Sequence, residues 1–157
     1  MSVASNQRVM VESDNLQIVF RLGSTGFFLP IASLVGILEV ESSQVDCSEP
    51  DPGNFLLGGF DFRSRRIELR DLAGVYGLAC SESGVVVHLL VVTGRKSFWA
   101  MPVDAVEGIF PATEMRLVDL PEYLFKECSP FYGKLALWHG EPLICCNPLR
   151  LEECWAE

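Results

Sequence analysis

Residues 85–103 read "VVVHLLVVTGRKSFWAMPV", and this stretch decides the kind of fold the chain adopts. Val85–Thr93 is a short apolar run rich in β-branched residues, interrupted only by His88. It is far too short for a membrane-spanning helix, which needs about 20 apolar residues. "GRK" (94–96) then turns the chain into a second apolar run, Ser97–Val103, which completes a β-hairpin.

The same grammar continues outward. Leu16–Leu22 ("LQIVFRL") alternates with period two, and "GSTG" (23–26) turns it into Phe27–Leu29. Pro30 opens a single helical turn, "IASLV", with Ile31, Leu34 and Val35 spaced to face a core. Gly36–Val40 is a further strand. Residues 42–54, "SSQVDCSEPDPGN", combine acids, two prolines and a glycine without periodicity, which predicts a mobile loop dispensable for folding. Phe55–Phe62 and Arg65–Leu69 form a second strand pair, followed by a short helix near Leu69–Val75. After the turn "SESG" (81–84) and the central hairpin, Val106–Phe110 is another strand. Residues 111–130 read as irregular, with Pro111, Pro121 and Pro130. Lys134–Trp138, the turn "HGEP" and Leu143–Cys146 make a third hairpin. Asn147 is a good N-cap, with Pro148 opening a terminal helix Pro148–Trp155. About ten short strands and three small helices predict an all-β protein built as barrels. Residues 1–15 are expected to be a flexible segment preceding one domain over 16–157.

Composition supports a folded domain: 49% of residues are hydrophobic and 21% charged. Twelve basic residues against 21 acidic ones give a net charge of −9, a field that repels nucleic acid and anionic membranes. The N-terminus carries no secretory pattern, so a cytoplasmic protein is expected. In that setting Cys47, Cys80, Cys128, Cys145, Cys146 and Cys154 are read as reduced thiols, and no C-x-x-C pair offers zinc a site. Cys145 and Cys146 are adjacent and point to opposite strand faces. The chain is expected to fold without metal, cofactor or disulfide.

No catalytic constellation emerges. "GSTG" lies in a hairpin and does not open a helix, so it is not a phosphate cradle. His88 sits among apolar residues mid-strand and His139 in a turn, neither with a nucleophile signature. The acids at Asp46, Glu49, Asp51, Glu152 and Glu153 read as solvated surface. One cluster stands out against the acidic background: Arg63, Arg65 and Arg66 in "GGFDFRSRRIELRDLAG" (58–74). It is short and flanked by Glu68 and Asp71, which disfavours a nucleic-acid patch. Arg65 and Arg66 suit a solvated strand face. Arg63 follows two phenylalanines, and is expected at the end of a buried strand, paired with Asp71 or Asp61.

This segment resembles the signature of the CheW family, the adaptors of bacterial chemosensory arrays. Gly58 takes the family's glycine position, Asp61-Phe62-Arg63 its Asn-Leu-Arg, and Asp71-Leu72 its closing pair, with eight positions kept from Arg63 to Asp71. "IVFRLGSTGFFLPIASLVGILEV", "VVHLLVVTGRKSFWAMPVDAVEGIF" and "YGKLALWHGEPLICCNPLRLEE" resemble the family's opening, middle and closing segments, so the similarity covers roughly residues 16–153. Ser64, Glu68 and Asp61 stand where the family has Gly, Pro and Asn. The resemblance implies two SH3-like five-stranded β-barrels on a shared core, and no enzymatic activity. It further implies an adaptor between chemoreceptor cytoplasmic tips and the regulatory domain of a CheA-type histidine kinase. The alternative is the same fold serving a signalling partner outside receptor arrays. Gly58, Asp61, Arg63 and Asp71 are the expected organising residues of the binding surface. Leu34 and Ile37 are candidates for an apolar receptor-facing patch.

Overall fold

The computed structural model describes residues 15–78, 84–119 and 134–155. Eleven strands are described: β1 Leu16–Leu22, β2 Thr25–Pro30, β3 Leu34–Glu41, β4 Leu56–Phe62, β5 Arg65–Arg70, β6 Val86–Thr93, β7 Phe98–Val103, β8 Ala105–Pro111, β9 Met115–Asp119, β10 Lys134–Trp138 and β11 Glu141–Cys145. Two one-turn helices, α1 Leu72–Val75 and α2 Pro148–Leu151, complete the set with five short 3-10 turns.

The strands form two sheets, one of six in the order β8-β1-β2-β11-β10-β9 and one of five in the order β3-β6-β7-β5-β4. Burial explains why the central runs are continuously apolar and not alternating. In β6, Leu90 and Val92 enter one core while Leu89 and Val91 enter another. In β1, Ile18 and Phe20 join that first core, and Val19 between them joins a third. Each sheet therefore packs one face on a common centre and curls its other face around a cluster of its own. A strand buried on both faces cannot alternate with polar residues. The curl of the five-stranded sheet brings its edges together: a Cβ on Gly36 of β3 would lie 4.0 Å from the Phe62 ring of β4.

Two-residue turns set the register of three hairpins. β1 and β2 close at Leu22 and Thr25, β4 and β5 at Phe62 and Arg65, β10 and β11 at Trp138 and Glu141. The last two use positive φ at both central residues, +51° and +63° at Arg63 and Ser64, +51° and +78° at His139 and Gly140. That backbone twist matches the twist of the flanking strands. The six-stranded sheet is further tied by Arg21 of β1, whose guanidinium donates to Glu141 of β11 and lies 3.5 Å from Glu107 of β8. α2 begins as expected, with Asn147 accepting from the Leu149 and Arg150 amides and Pro148 at its first position.

Five expectations need correction. Residues 111–130 are not uniformly irregular, because β9 adds a sixth strand to the first sheet. Its apolar residues obey no period-2 rule, and Leu117 is 60% exposed, so nothing local announces it. Residues 42–54 are not a detached loop. They hold two 3-10 turns, and backbone bridges run from Asp46 to Gly59 and from Asp51 to Leu56. Pro30 is both the last residue of β2 and the N-cap of the helical turn, but that turn is only Ile31–Ser33, with Leu34 and Val35 already in β3. The link between β6 and β7 is a four-residue loop, Gly94–Ser97, and the terminal α-helix ends at Leu151 before a 3-10 turn. Residues 1–14 of the predicted N-terminal segment (1–15), most of the "SESG" turn and residues 120–133 lie outside the described residues.

Candidate functional site

The β4–β5 hairpin obeys strict alternation up to its tip. Phe60, Phe62, Ile67 and Leu69 point into the second core, and Asp61, Arg66 and Glu68 point out. Gly58 sits at a β-bulge opposite Leu69, against residue 46 of the preceding loop. A Cβ there would collide with the Asp46 carbonyl oxygen, so only glycine admits this close backbone approach. The loop is locked on through Gly59, whose amide donates to Asp46 O at 2.9 Å while the Asp46 amide donates to Gly59 O at 2.8 Å.

Three arginines of the stretch have separated fates. Arg63 lies in the turn, exposed, with its guanidinium carbon 4.7 Å above the Phe62 ring. Arg66 pairs with Asp46 at 2.7 Å across the surface. Hydrogen bonds from Ser48, and then Arg66, hold the Asp46 carboxyl down at about 2. Arg70 is the buried one, 8% exposed. It donates to Asn54 O at 2.7 Å and to Glu68 at 2.6 Å, and lies 4.8 Å over the Trp155 ring.

The expected pairing of Arg63 with Asp71 or Asp61 is therefore not found. Among the described residues, no ion pair joins Arg63 to a carboxylate. A turn residue at the hairpin tip points into water, so it needs no buried counter-charge. Asp71 instead caps α1: its carboxylate accepts from the Gly74 amide at 3.0 Å, and its own amide donates to Phe55 O at 2.8 Å. Asp61 is exposed opposite Arg66. Leu34 is half-buried against the central core, whereas Ile37 is 44% exposed on the edge strand β3. The approach of Gly36 to Phe62 places that edge beside the strand end bearing Arg63.

Sequence reasoning missed Arg70, Asp46 and Lys96. Lys96, in the Gly94–Ser97 loop, joins Arg63, Arg65 and Arg66 around an open cleft of about 410 Å³ whose apolar wall is Phe62, Ile67 and Phe98. That grouping depends on the parallel pairing of β5 with β7, Glu68 opposite Trp99. A pairing between strands thirty residues apart leaves no local sequence signal.

Cys145 packs toward the third core and Cys146 into the central one, so the neighbouring thiols part to opposite faces. Burial pushes both thiols up, which suppresses thiolate chemistry. His139 contacts Glu114 at 3.3 Å, and His88 lies opposite Glu39. Among the described residues, no group of three or more His, Cys, Asp or Glu side chains could hold a metal ion, and no helix is long and apolar enough to cross a membrane.

Two curled sheets packed on a shared core define a double-barrel β protein. A family profile for the CheW-like domain matches residues 17–138, and the chain belongs to that family. Among solved structures it is similar to the scaffolding protein TtCheW from Thermoanaerobacter tengcongensis, with 18% identity and a TM-score of 0.70. The match covers 89% of this chain and 93% of that one. No curated protein matches.

Proposed function

We propose that this protein is a non-enzymatic adaptor of a bacterial chemosensory pathway, working in the cytoplasm and coupling chemoreceptor tips to the regulatory domain of a CheA-type histidine kinase. The observation that carries the reading is the family match over residues 17–138, which spans strands of both sheets. The name "scaffolding protein" borne by TtCheW points the same way. A binding role also suits the chemistry of the surface. The Cys145 and Cys146 thiols are raised by burial, and the cations Arg63, Arg65, Arg66 and Lys96 gather at a hairpin tip around an open cleft. Gly58 and Asp71 act in this scheme by shaping the hairpin and its root, while Asp61, Arg63 and Ile37 face the partner and Leu34 supports them from the core.

The test is reconstitution from purified parts. The protein is mixed with the regulatory domain of the kinase encoded in the same cell and with a receptor tip fragment, and complexes are followed by analytical ultracentrifugation. A ternary complex that weakens on Arg63→Ala, with folding intact, is the expected result. Absence of binding to both fragments would overturn the array role and leave a module of the same fold with another partner.

A further inference from the structure

The hairpin cleft has a feature that folding does not explain. In a chain of net charge −9, four cations converge on one opening. Among the described residues, Arg63, Arg65 and Lys96 have no carboxylate partner, so their grouping adds like-charge repulsion without an internal offset. The fourth, Arg66, already holds the exposed Asp46 carboxylate at 2.7 Å, an internal example of what the rim binds. Below the rim the wall is apolar, with the half-buried Phe98 set edge-on to Phe62 at 6.4 Å. The opening, about 410 Å³, is in the size range of ligand sites.

We propose that this cleft binds an acidic segment of a partner protein, its carboxylates on Arg63, Arg65 and Lys96 and one apolar side chain against Phe98. Charge complementarity selects the sign of the occupant, and the hydrocarbon wall selects a side chain over a bare inorganic anion. A nucleic-acid strand is disfavoured on two counts. The body's negative charge opposes a polyanion, and the Phe62 ring, 8% exposed and covered by Arg63, leaves no free face for base stacking. The body's own repulsion of a short acidic segment is weaker, because screening at physiological salt limits it to about 8 Å, within which the rim cations dominate.

The inference rests on the adaptor reading, and its test is separable from it. A fluorescein-labelled decapeptide of Asp and Glu around a central Leu is titrated by anisotropy, beside its Asn/Gln counterpart and an oligothymidylate. The acidic peptide binds, its affinity falls with added salt, and the triple variant Arg63→Glu/Arg65→Glu/Lys96→Glu loses at least about tenfold. If that variant folds poorly, Lys96→Glu alone gives the same direction, and arginine side-chain NMR signals of the unaltered protein shift on peptide addition. Equal binding of the Asn/Gln peptide, tighter binding of the oligothymidylate, or an unaffected triple variant overturns the proposal. If receptor and kinase fragments bind the triple variant normally, the cleft inference falls and the adaptor reading stands. If the acidic peptide binds the cleft while neither fragment binds the protein, the reverse holds.

Discussion

The turn that leads into β5 and the far end of β5 carry chemically identical side chains with opposite lives. At the tip, Arg63 sits in a two-residue turn, exposed, with only the Phe62 ring beneath it. At the root, Arg70 is nearly sealed from solvent between Asn54, Glu68 and Trp155. Alternation places Arg70 on the same outward face as Arg66 and Glu68, so β5 itself does not bury it. The burial comes from the terminal segment, which lays Trp155 over that face and edge-on to Trp99 at 5.1 Å. A side chain's role is thus set by what the rest of the chain brings to it.

If that contrast is right, removing Arg70 is the most damaging change in the hairpin. Arg70→Ala leaves the Asn54 carbonyl without its donor and uncovers Trp155, a loss of about 2–4 kcal/mol by urea melt. Glu68 is exposed enough for water to take over its share, so the ion pair contributes little of this. Arg70→Lys should recover less than half, because an ammonium cannot both stack on the indole and fork to two acceptors. A loss below about 0.5 kcal/mol in Arg70→Ala would erase the distinction between root and tip.

Asp71 comes next. As the cap of a single helical turn its carboxylate satisfies one otherwise free amide, and Asp71→Ala should cost about 1 kcal/mol. Asp71→Asn, which still accepts from the Gly74 amide, should restore most of it. Were Asp71 the counter-charge of a buried arginine, the neutral asparagine would fail. The pair of variants therefore separates cap from ion pair.

What was legible in the sequence follows from where the cause lies. Val86–Thr93 announces a strand because burial on two faces is written in its own residues; Leu16–Leu22 is also a strand, but the period-two reading of it is corrected by Ile18, Val19 and Phe20, which are all buried. The turn between Phe62 and Arg65 falls where the sequence predicts it, whereas "HGEP" closes sooner, at His139–Gly140, with Glu141 and Pro142 already paired in β11. β9 escaped notice because an edge strand with an exposed leucine has no pattern of its own. The docking of residues 42–54 was illegible because it is made by backbone groups of Asp46 and Gly59, which every residue possesses. The site divides likewise. Gly58 and the exposed Arg65 were readable, whereas Arg70 and Lys96 take their roles from partners many residues away.

A smaller effect tests the tip from the loop side. The Asp46 carboxyl, depressed from its ordinary 3.8 to about 2 by Ser48 and Arg66, favours the folded state when ionised. Its contribution is fully present above 3.8 and is lost as pH falls through about 2. Urea midpoints of the native protein and Asp46→Asn should stay a constant distance apart from neutral pH down to about 4 and converge below that. A gap that persists at the acid end would mean the side chain acts through packing and not charge. Arg63→Ala should change the unfolding free energy by less than about 0.5 kcal/mol at any of these pH values, since it removes no buried contact.

Ser64 gives the smallest effect, and the only one of opposite sign. Its φ of +63° places a side chain in the left-handed region that L residues avoid, next to Arg63 at +51°. A turn of this kind favours glycine at its second position. Ser64→Gly relieves the clash between Cβ and backbone, although the extra freedom of glycine in the unfolded chain offsets part of the gain. The net expectation is a stabilisation of about 0.5 kcal/mol. No interaction to or from the Ser64 side chain would be lost that the hairpin depends on, because the strands are held by Phe60, Phe62, Ile67 and Leu69 beneath. The cations of the cleft stay in place, so acidic-peptide binding should change less than twofold. Destabilisation on Ser64→Gly would show that the tip, like the root, is fixed by contacts of its own, and the contrast between tip and root would lose its basis.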